Sequence, residues 1–237
     1  MGAPGVTGRN WRQVWRDRSV DKAGTTLGDL IAADGFDAFG ELAETAWRGY
    51  VLRVAQRMAL APDAAVFEVG CGAGAFLLPL AETGRQVAGV DYSPGLVDLA
   101  RAALPTARIE VADAAEFATE PRYDAAVANG VFLYFADLGY AAKVVARMLA
   151  VSRGGIAILD VPDAAREEET VQARRRQLGE ETYRERYAGL PHLYYRRDWF
   201  AEAVGAGYQV DVVDQDLQGY AHAPYRYNVF VTRPGSR

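Results

Sequence analysis

Lysine is nearly missing from this 237-residue chain, which has it only at Lys22 and Lys143, and cysteine occurs once, at Cys71. A lone cysteine excludes an internal disulfide. One cysteine with two distant histidines, His192 and His222, also makes a poor metal site, so no metal is expected. No stretch approaches the roughly 18 consecutive apolar residues of a membrane span. The opening "MGAPGVTGRNWRQ" lacks the apolar centre of a signal peptide. Val6 stands where an acylation signal after Met1-Gly2 requires Ser or Thr. A cytoplasmic protein without a membrane partner is the expectation. Net charge is −5 and no basic stripe interleaved with aromatics occurs, so nucleic acid is not an expected partner. Arginine in place of lysine, with abundant alanine and glycine, points to a GC-rich bacterial gene.

What the chain does have is a regular beat. Half of its residues are hydrophobic, enough for one globular domain with an elaboration. From 64 to 161, short β-branched runs alternate with alanine-rich helical stretches, the pattern of a parallel sheet covered on both faces. "AVFEV", "QVAGVD", "RIEVAD", "YDAAVAN" and "IAILDV" read as five strands. "SPGLVDLARAAL" reads as a helix capped by Ser93 with Pro94 in its first turn, and Gly154-Gly155 is placed to close the helix "LGYAAKVVARMLAVS". Two later strands, "YQVDVVDQDL" and "RYNVFVTR", are joined by a spacer too short for a parallel crossover, which predicts an antiparallel end to the sheet. The fold class is therefore α/β, a Rossmann-like doubly wound seven-stranded sheet, mostly parallel with an antiparallel C-terminal strand and helices on both faces. Residues 1–63 are read as an N-terminal helical arm or lid, and 64–237 as the main domain with a helical insert at about 163–196. That insert, rich in charge of both signs, is either a solvated surface or a cap over a pocket. Trp11 and Trp15, four apart, share one helix face and either pack on the core or close over a ligand.

The stretch "AAVFEVGCGAGAF" puts Gly70, Gly72 and Gly74 on alternate positions after a strand that holds Glu68. Glycine turns between a first strand and helix serve dinucleotides as well as nucleosides. Here the third glycine comes one residue early for the dinucleotide spacing, and a carboxylate beside a pyrophosphate would repel it. Beside an ammonium or sulfonium it would attract. A ligand with a positive centre and no phosphate is expected.

"VFEVGCGAGAF" resembles the first motif of class I S-adenosylmethionine (SAM) dependent methyltransferases, small-molecule type, and the resemblance runs over about residues 60–161. It implies SAM as cofactor, with Gly70, Cys71, Gly72 and Gly74 near its methionine part and Glu68 orienting the amino group. It further implies Asp91, with Tyr92 and Ser93, at the ribose, Asp113 and Ala114 at the adenine, and Asn129 and Gly130 on the methionine side; the lid reading adds Trp15 as a further cofactor contact. Asp91 and Asp113 could instead cap the helices after them, and Cys71 is a small filler of a tight loop rather than a nucleophile.

The implied activity is methyl transfer to a small molecule, O-methylation first and N-methylation next, in bacterial natural-product or sugar tailoring. Positioning dominates such a displacement. If the acceptor must lose a proton, His192 and His222 are the side chains matched to neutral pH, with Tyr134 beside them. Trp11, Tyr134, His192, Tyr195, Tyr220, Arg226 and Asn228 are the candidate acceptor contacts, Arg226 for a carboxylate or phosphate. The chain is expected to be a monomer or homodimer. The rival readings are a nicotinamide-dependent oxidoreductase on a similar fold and a non-catalytic SAM-binding module.

Overall fold

The computed structural model describes residues 10–233 apart from 19, 21–23, 38, 39 and 41. Three helices come first, α1 (Trp11–Arg16), α2 (Leu27–Ala33) and α3 (Glu44–Arg57), followed by β1 (Ala65–Val69), α4 (Leu77–Glu82), β2 (Gln86–Asp91), α5 (Pro94–Ala103), β3 (Arg108–Val111) and β4 (Tyr123–Asn129). The chain continues through α6 (Leu138–Val151), β5 (Ser152–Pro162), α7 (Glu167–Leu178), α8 (Glu180–Tyr187), α9 (Trp199–Val204), β6 (Gln209–Asp214) and β7 (Arg226–Thr232). The seven strands form one sheet in the order β3-β2-β1-β4-β5-β7-β6. β7 runs antiparallel to both neighbours, and the other recorded pairings are parallel. The expected fold class therefore stands.

Alternation along the central strands builds the two faces. Val66, Val127, Ala157, Leu159 and Phe230 pack on one side with Trp47, Tyr50, Val51 and Val54 of α3 and with Leu27, Leu30 and Ile31 of α2. Phe67, Ala126, Ala128, Ile156, Ile158 and Val229 pack on the other with Val144, Val145 and Met148 of α6 and Phe200 of α9. Much of the segment before β1 is thus core: Trp47 is fully buried and its indole N–H donates to the Ala75 carbonyl at 2.8 Å. Only α1 among the first three helices buries no residue.

Two local expectations are corrected. Gly154 and Gly155 do not close a helix. α6 ends at Val151 and both glycines lie inside β5. They are needed because a Cβ at Gly154 would stand 2.7 Å from the Asp124 carbonyl oxygen, and one at Gly155 2.6 Å from that of Val231. Ser93 occupies the position before α5, yet its hydroxyl makes no cap bond; the Ser93 N–H donates instead to Asp91 Oδ1 at 2.8 Å.

The crossing at Gly155 is made by backbone on both sides, so little there can give way. Gly155→Ala is expected to lower stability by about 1–3 kcal/mol through overpacking. Urea unfolding checks this, with a lower midpoint at unchanged slope as the expected outcome.

Candidate active site

β1 and β4 are neighbours whose connections leave in opposite directions, and at such a switch point a crevice opens beyond the carboxyl ends of the strands. The turn after β1 fills the edge of that crevice. Gly70, Gly72 and Gly74 have φ of 72°, 51° and 91°, a left-handed backbone that favours glycine. Space reinforces conformation. A Cβ at Gly70 would meet Val131 at 2.5 Å, and one at Gly72 would meet Asp34 Oδ1 at 2.2 Å.

A first cavity of about 480 Å³ lies against this turn, and its lining includes Glu68, Gly70, Cys71, Gly72, Asp91, Tyr92, Asp113, Ala114, Asn129, Gly130 and Trp15. Glu68 is 2% exposed, and its Oε2 is buried with no hydrogen-bond partner. Burial first, and then the neighbouring Asp34 and Asp91, push its carboxyl well above the usual range. Asp91 accepts from the Gly72 N–H at 3.0 Å through Oδ2 and from Ser93 through Oδ1, so it braces the glycine turn and the start of α5 together. Asn129 Oδ1 is another buried oxygen without a partner. Asp113 accepts from the Tyr140 hydroxyl at 2.6 Å and the Ala115 N–H at 2.9 Å, and pairs with exposed Arg12 of α1. Cys71 is buried, its thiol pushed up by burial and the surrounding carboxylates, which suits a filler and not a nucleophile.

Asp34, just after α2, is the acid the sequence did not reveal. Its carboxylate accepts from the Ala73 N–H at 2.6 Å and the Ala75 N–H at 3.3 Å, and burial raises its pKa to about 7. Three carboxylates therefore crowd one apolar hollow, and two of their oxygen edges already serve the turn. Such a site suits a positive centre and is unsuited to phosphate.

A second cavity of about 350 Å³ adjoins the first; Trp11, Trp15, Asp34, Phe36, Gly130, Tyr134 and Leu190 line both. α1 stands over the junction. Asn10 caps it by accepting from Gln13 N–H, the Trp11 indole donates to the Pro191 carbonyl at 2.9 Å, and the ring of Trp11 lies 5.0 Å from Tyr134 and 4.5 Å from His192. The second cavity also takes in Asp160, Arg174, Tyr187, His192, Tyr220, His222 and Arg226. The Tyr220 hydroxyl donates to Asp160 Oδ2 at 2.9 Å.

The histidines do not have the character expected of a base near neutral pH. Arg174 Nη1 lies 2.8 Å from His192 Nδ1, and because a guanidinium only donates, that nitrogen is the acceptor and the ring proton sits on Nε2. Burial and the charges of Arg174 and Arg226 hold His192 well below its ordinary pKa, and burial with Arg226 and Arg174 lowers His222 to about 3. Burial pushes Tyr134 up to about 12. Both rings are neutral and weakly basic, and the phenol keeps its proton.

Four expected contacts lie elsewhere. Tyr195 is fully buried among Phe132, Phe200 and Tyr227, its hydroxyl donating to the Phe132 carbonyl. Asn228 is buried under the sheet end, where its Oδ1 accepts from the Asp160 N–H at 3.0 Å. A Cβ at Gly74 would meet Ala100 of α5 and Leu104 just after it, and Ser93 is buried and does not line the cavity. Arg174 was hidden in the charged run "QARRRQL": it is 3% exposed, whereas Arg175 and Arg176 beside it are exposed. Asp34 and Arg174 have no motif of their own, since each meets the site only through tertiary packing.

Among the described residues no helix is long and apolar enough to cross a membrane, and no group of three or more His, Cys, Asp or Glu is placed to hold a metal. Residues 67–159 match the family model described as "Methyltransferase domain". A trans-aconitate 2-methyltransferase of Methylobacterium nodulans is 33% identical over 162 residues, 66% of this chain and 62% of the relative. An uncharacterized protein of Haemophilus influenzae is 43% identical over 49 residues, 21% of this chain and 18% of its own. The chain thus spans less than two thirds of either relative. Among solved structures, an S-adenosylmethionine-dependent methyltransferase from Clostridium acetobutylicum superposes with a TM-score of 0.63 at 12% identity, over 86% of this chain and 97% of that one. Magnesium protoporphyrin IX methyltransferase from Synechocystis PCC 6803, with bound SAM, gives 0.57 at 16% identity over 94% and 89%. An amino pentose methyltransferase from Micromonospora echinaspora gives 0.58 at 19% identity over 79% and 91%. Residues 67–159 thus match a methyltransferase domain, and the chain has the Rossmann-like fold of the methyltransferases it superposes on.

Proposed function

We propose that this chain is a SAM-dependent methyltransferase acting on a small-molecule acceptor, an oxygen in the first place and a nitrogen next, in a tailoring step of bacterial cytoplasmic metabolism. The buried, unpartnered carboxylate of Glu68, set with Asp34 and Asp91 against an apolar cavity, carries the proposal. Its chemistry fits a ligand with an ammonium and a sulfonium and opposes a dinucleotide. When bound there, SAM supplies a methyl group made electrophilic by the sulfonium.

The chain's own residues do the rest. On this proposal Glu68 and Asp34 attract the positive centres, the Gly70–Gly74 backbone allows close approach, Asp91 takes the ribose hydroxyls, and Asp113 with Ala114 bounds the adenine end. Trp11, Trp15 and Tyr134 stand between the two cavities and exclude water from the line of transfer. The second cavity holds the acceptor. Small acceptors named for similar proteins, trans-aconitate and an amino pentose among them, support this size class.

Calorimetry with SAM, S-adenosylhomocysteine and NAD tests the proposal. Both sulfur nucleosides are expected to bind and NAD not to, and NAD binding without a response to SAM would sink it. Asp91→Ala is expected to weaken cofactor binding by about 1.5–3 kcal/mol if its bonds to the ribose are charge-assisted.

Asp34 adds a pH signature. Its pKa of about 7 lies above the ordinary value of 3.8, so below neutrality it carries a proton that a bound cation must expel. SAM affinity should therefore rise with pH up to about 7 and then level, with proton release on binding measured in buffers of different ionisation enthalpy. Asp34→Asn should release fewer protons, Glu68 and Asp91 accounting for what is left; equal release in both proteins would remove Asp34 from the cofactor's field.

α1 is the last element to test. It buries no residue of its own, yet it bridges both cavities. Deleting residues 1–20 is expected to leave the thermal transition near that of the full chain and to cut turnover steeply, read as S-adenosylhomocysteine release. Full turnover in the truncated protein would exclude a lid role.

A further inference from the structure

The second cavity contains a charge arrangement that the methyl-transfer proposal does not require. Among the described residues that line this cavity, Arg226, Arg174 and Asp160 are the fully buried charged groups, at 2%, 3% and 3% exposed, while Asp34 at the junction is only partly buried and Asp37 is exposed. Arg226 Nε stands 3.7 Å from Asp160 Oδ1, close enough for ionic attraction and too far for a hydrogen bond. Nε and Nη1 of Arg226 and Nε of Arg174 are all buried without a hydrogen-bond partner. Leaving guanidinium N–H groups dry and unsatisfied is costly, and a native site that keeps several of them beside a cavity is built for an incoming acceptor of hydrogen bonds.

We propose that Arg226 and Arg174 form a subsite for the carboxylate of the methyl acceptor, which makes that acceptor an organic acid. Two buried cations against one buried anion leave a single positive charge, which matches a carboxylate better than a phosphate dianion. The unpartnered Nε and Nη1 of Arg226 lie on different edges of the guanidinium, and each can donate a charge-assisted bond to a carboxylate oxygen. His192 adds a third kind of donor. With its Nδ1 engaged by Arg174, it has an N–H at Nε2 and no lone pair to offer.

The remaining charges around the cavity do not cancel this. Asp34 accepts from the glycine turn at the junction, Arg18 donates to the Ala32 carbonyl, and Asp37 and Arg186 are exposed at the mouth. Asp160 lines the same cavity, and its Oδ2 is engaged by the Tyr220 hydroxyl.

This subsite rests on the methyltransferase proposal for the identity of its ligand as an acceptor, and the experiment separates the two. Calorimetry on the full chain first measures S-adenosylhomocysteine alone, which tests the cofactor site by itself. Benzoate, benzamide and phenyl phosphate are then titrated into the protein with and without S-adenosylhomocysteine. Benzoate is expected to bind at least about tenfold more tightly than its neutral isostere, benzamide, as a charge-assisted pair to arginine demands. Arg174→Gln and Arg226→Gln should each abolish that preference while the affinity for S-adenosylhomocysteine is kept. If Arg226→Gln fails to fold because Asp160 is left without its counter-charge, the double variant Arg226→Gln/Asp160→Asn restores neutrality and should bind acid and amide alike. Equal affinity for benzoate and benzamide, binding of neither, a preference that survives the substitutions, or tighter binding of phenyl phosphate would each overturn the proposal. Failure of S-adenosylhomocysteine to bind, with benzoate still preferred over benzamide, would instead overturn the cofactor proposal and leave the carboxylate subsite standing.

Discussion

Crowding three carboxylates, two of them fully buried, against one glycine turn is the constraint on which the rest of this site depends. Charges of like sign in an apolar hollow repel and lack solvation, so each must be compensated or give up its charge. Asp91 and Asp34 are compensated by backbone N–H groups at Gly72, Ala73 and Ala75. Those bonds are available only because the turn runs through the left-handed region at Gly70, Gly72 and Gly74. Glu68 has no such bond on Oε2, so one buried carboxylate oxygen at the cavity wall is left without a partner.

The two cavities lean toward opposite charge, although Asp34 lines both and Asp160 lines the second. Around the first, oxygens predominate: Glu68, Asp91, Asp113 and the side-chain oxygen of Asn129. Around the second, donors predominate, from Arg174, Arg226 and the Nε2 of His192. The aromatic wall of Trp11, Trp15 and Tyr134 separates them and belongs to both. On the proposed function, a cationic methyl donor and an anionic acceptor would meet at the junction that these aromatics line, where low dielectric strengthens charge interactions. The same arginines that favour an anion weaken the two histidines as bases. An imidazole beside buried guanidinium groups pays twice to become charged, through desolvation and through repulsion.

Support for the turn comes from a segment well upstream. Trp47 of α3 donates to the Ala75 carbonyl and Asp34 receives from Ala73 and Ala75, so residues before β1 hold both the polar edge and the back of the glycine loop. α2 and α3 are accordingly core elements, packed on the face of the sheet formed by Val66, Val127 and Leu159. α1 differs from them in burying none of its residues.

The strand and helix beat from β1 to β5, the antiparallel end of the sheet and the residues of the glycine turn were legible in the amino-acid sequence, because period-2 alternation, turn chemistry and contiguous motifs are local properties. Asp91 and Asn129, which end β2 and β4, were legible through the resemblance of their motifs, and Glu68, one residue before the end of β1, through its place beside the glycine turn; all three line the first cavity. Gly154 and Gly155 misled because a glycine that relieves a backbone crossing looks, in sequence, like one that ends a helix. Only the tertiary structure decided that Tyr195 and Asn228 face the core, that one arginine of three in "QARRRQL" is buried while its neighbours are exposed, and that Asp34 lies on a turn 38 residues further along, at Gly72. Those outcomes depend on which distant segments pack together, and burial of a charge is a property of the neighbours that packing supplies.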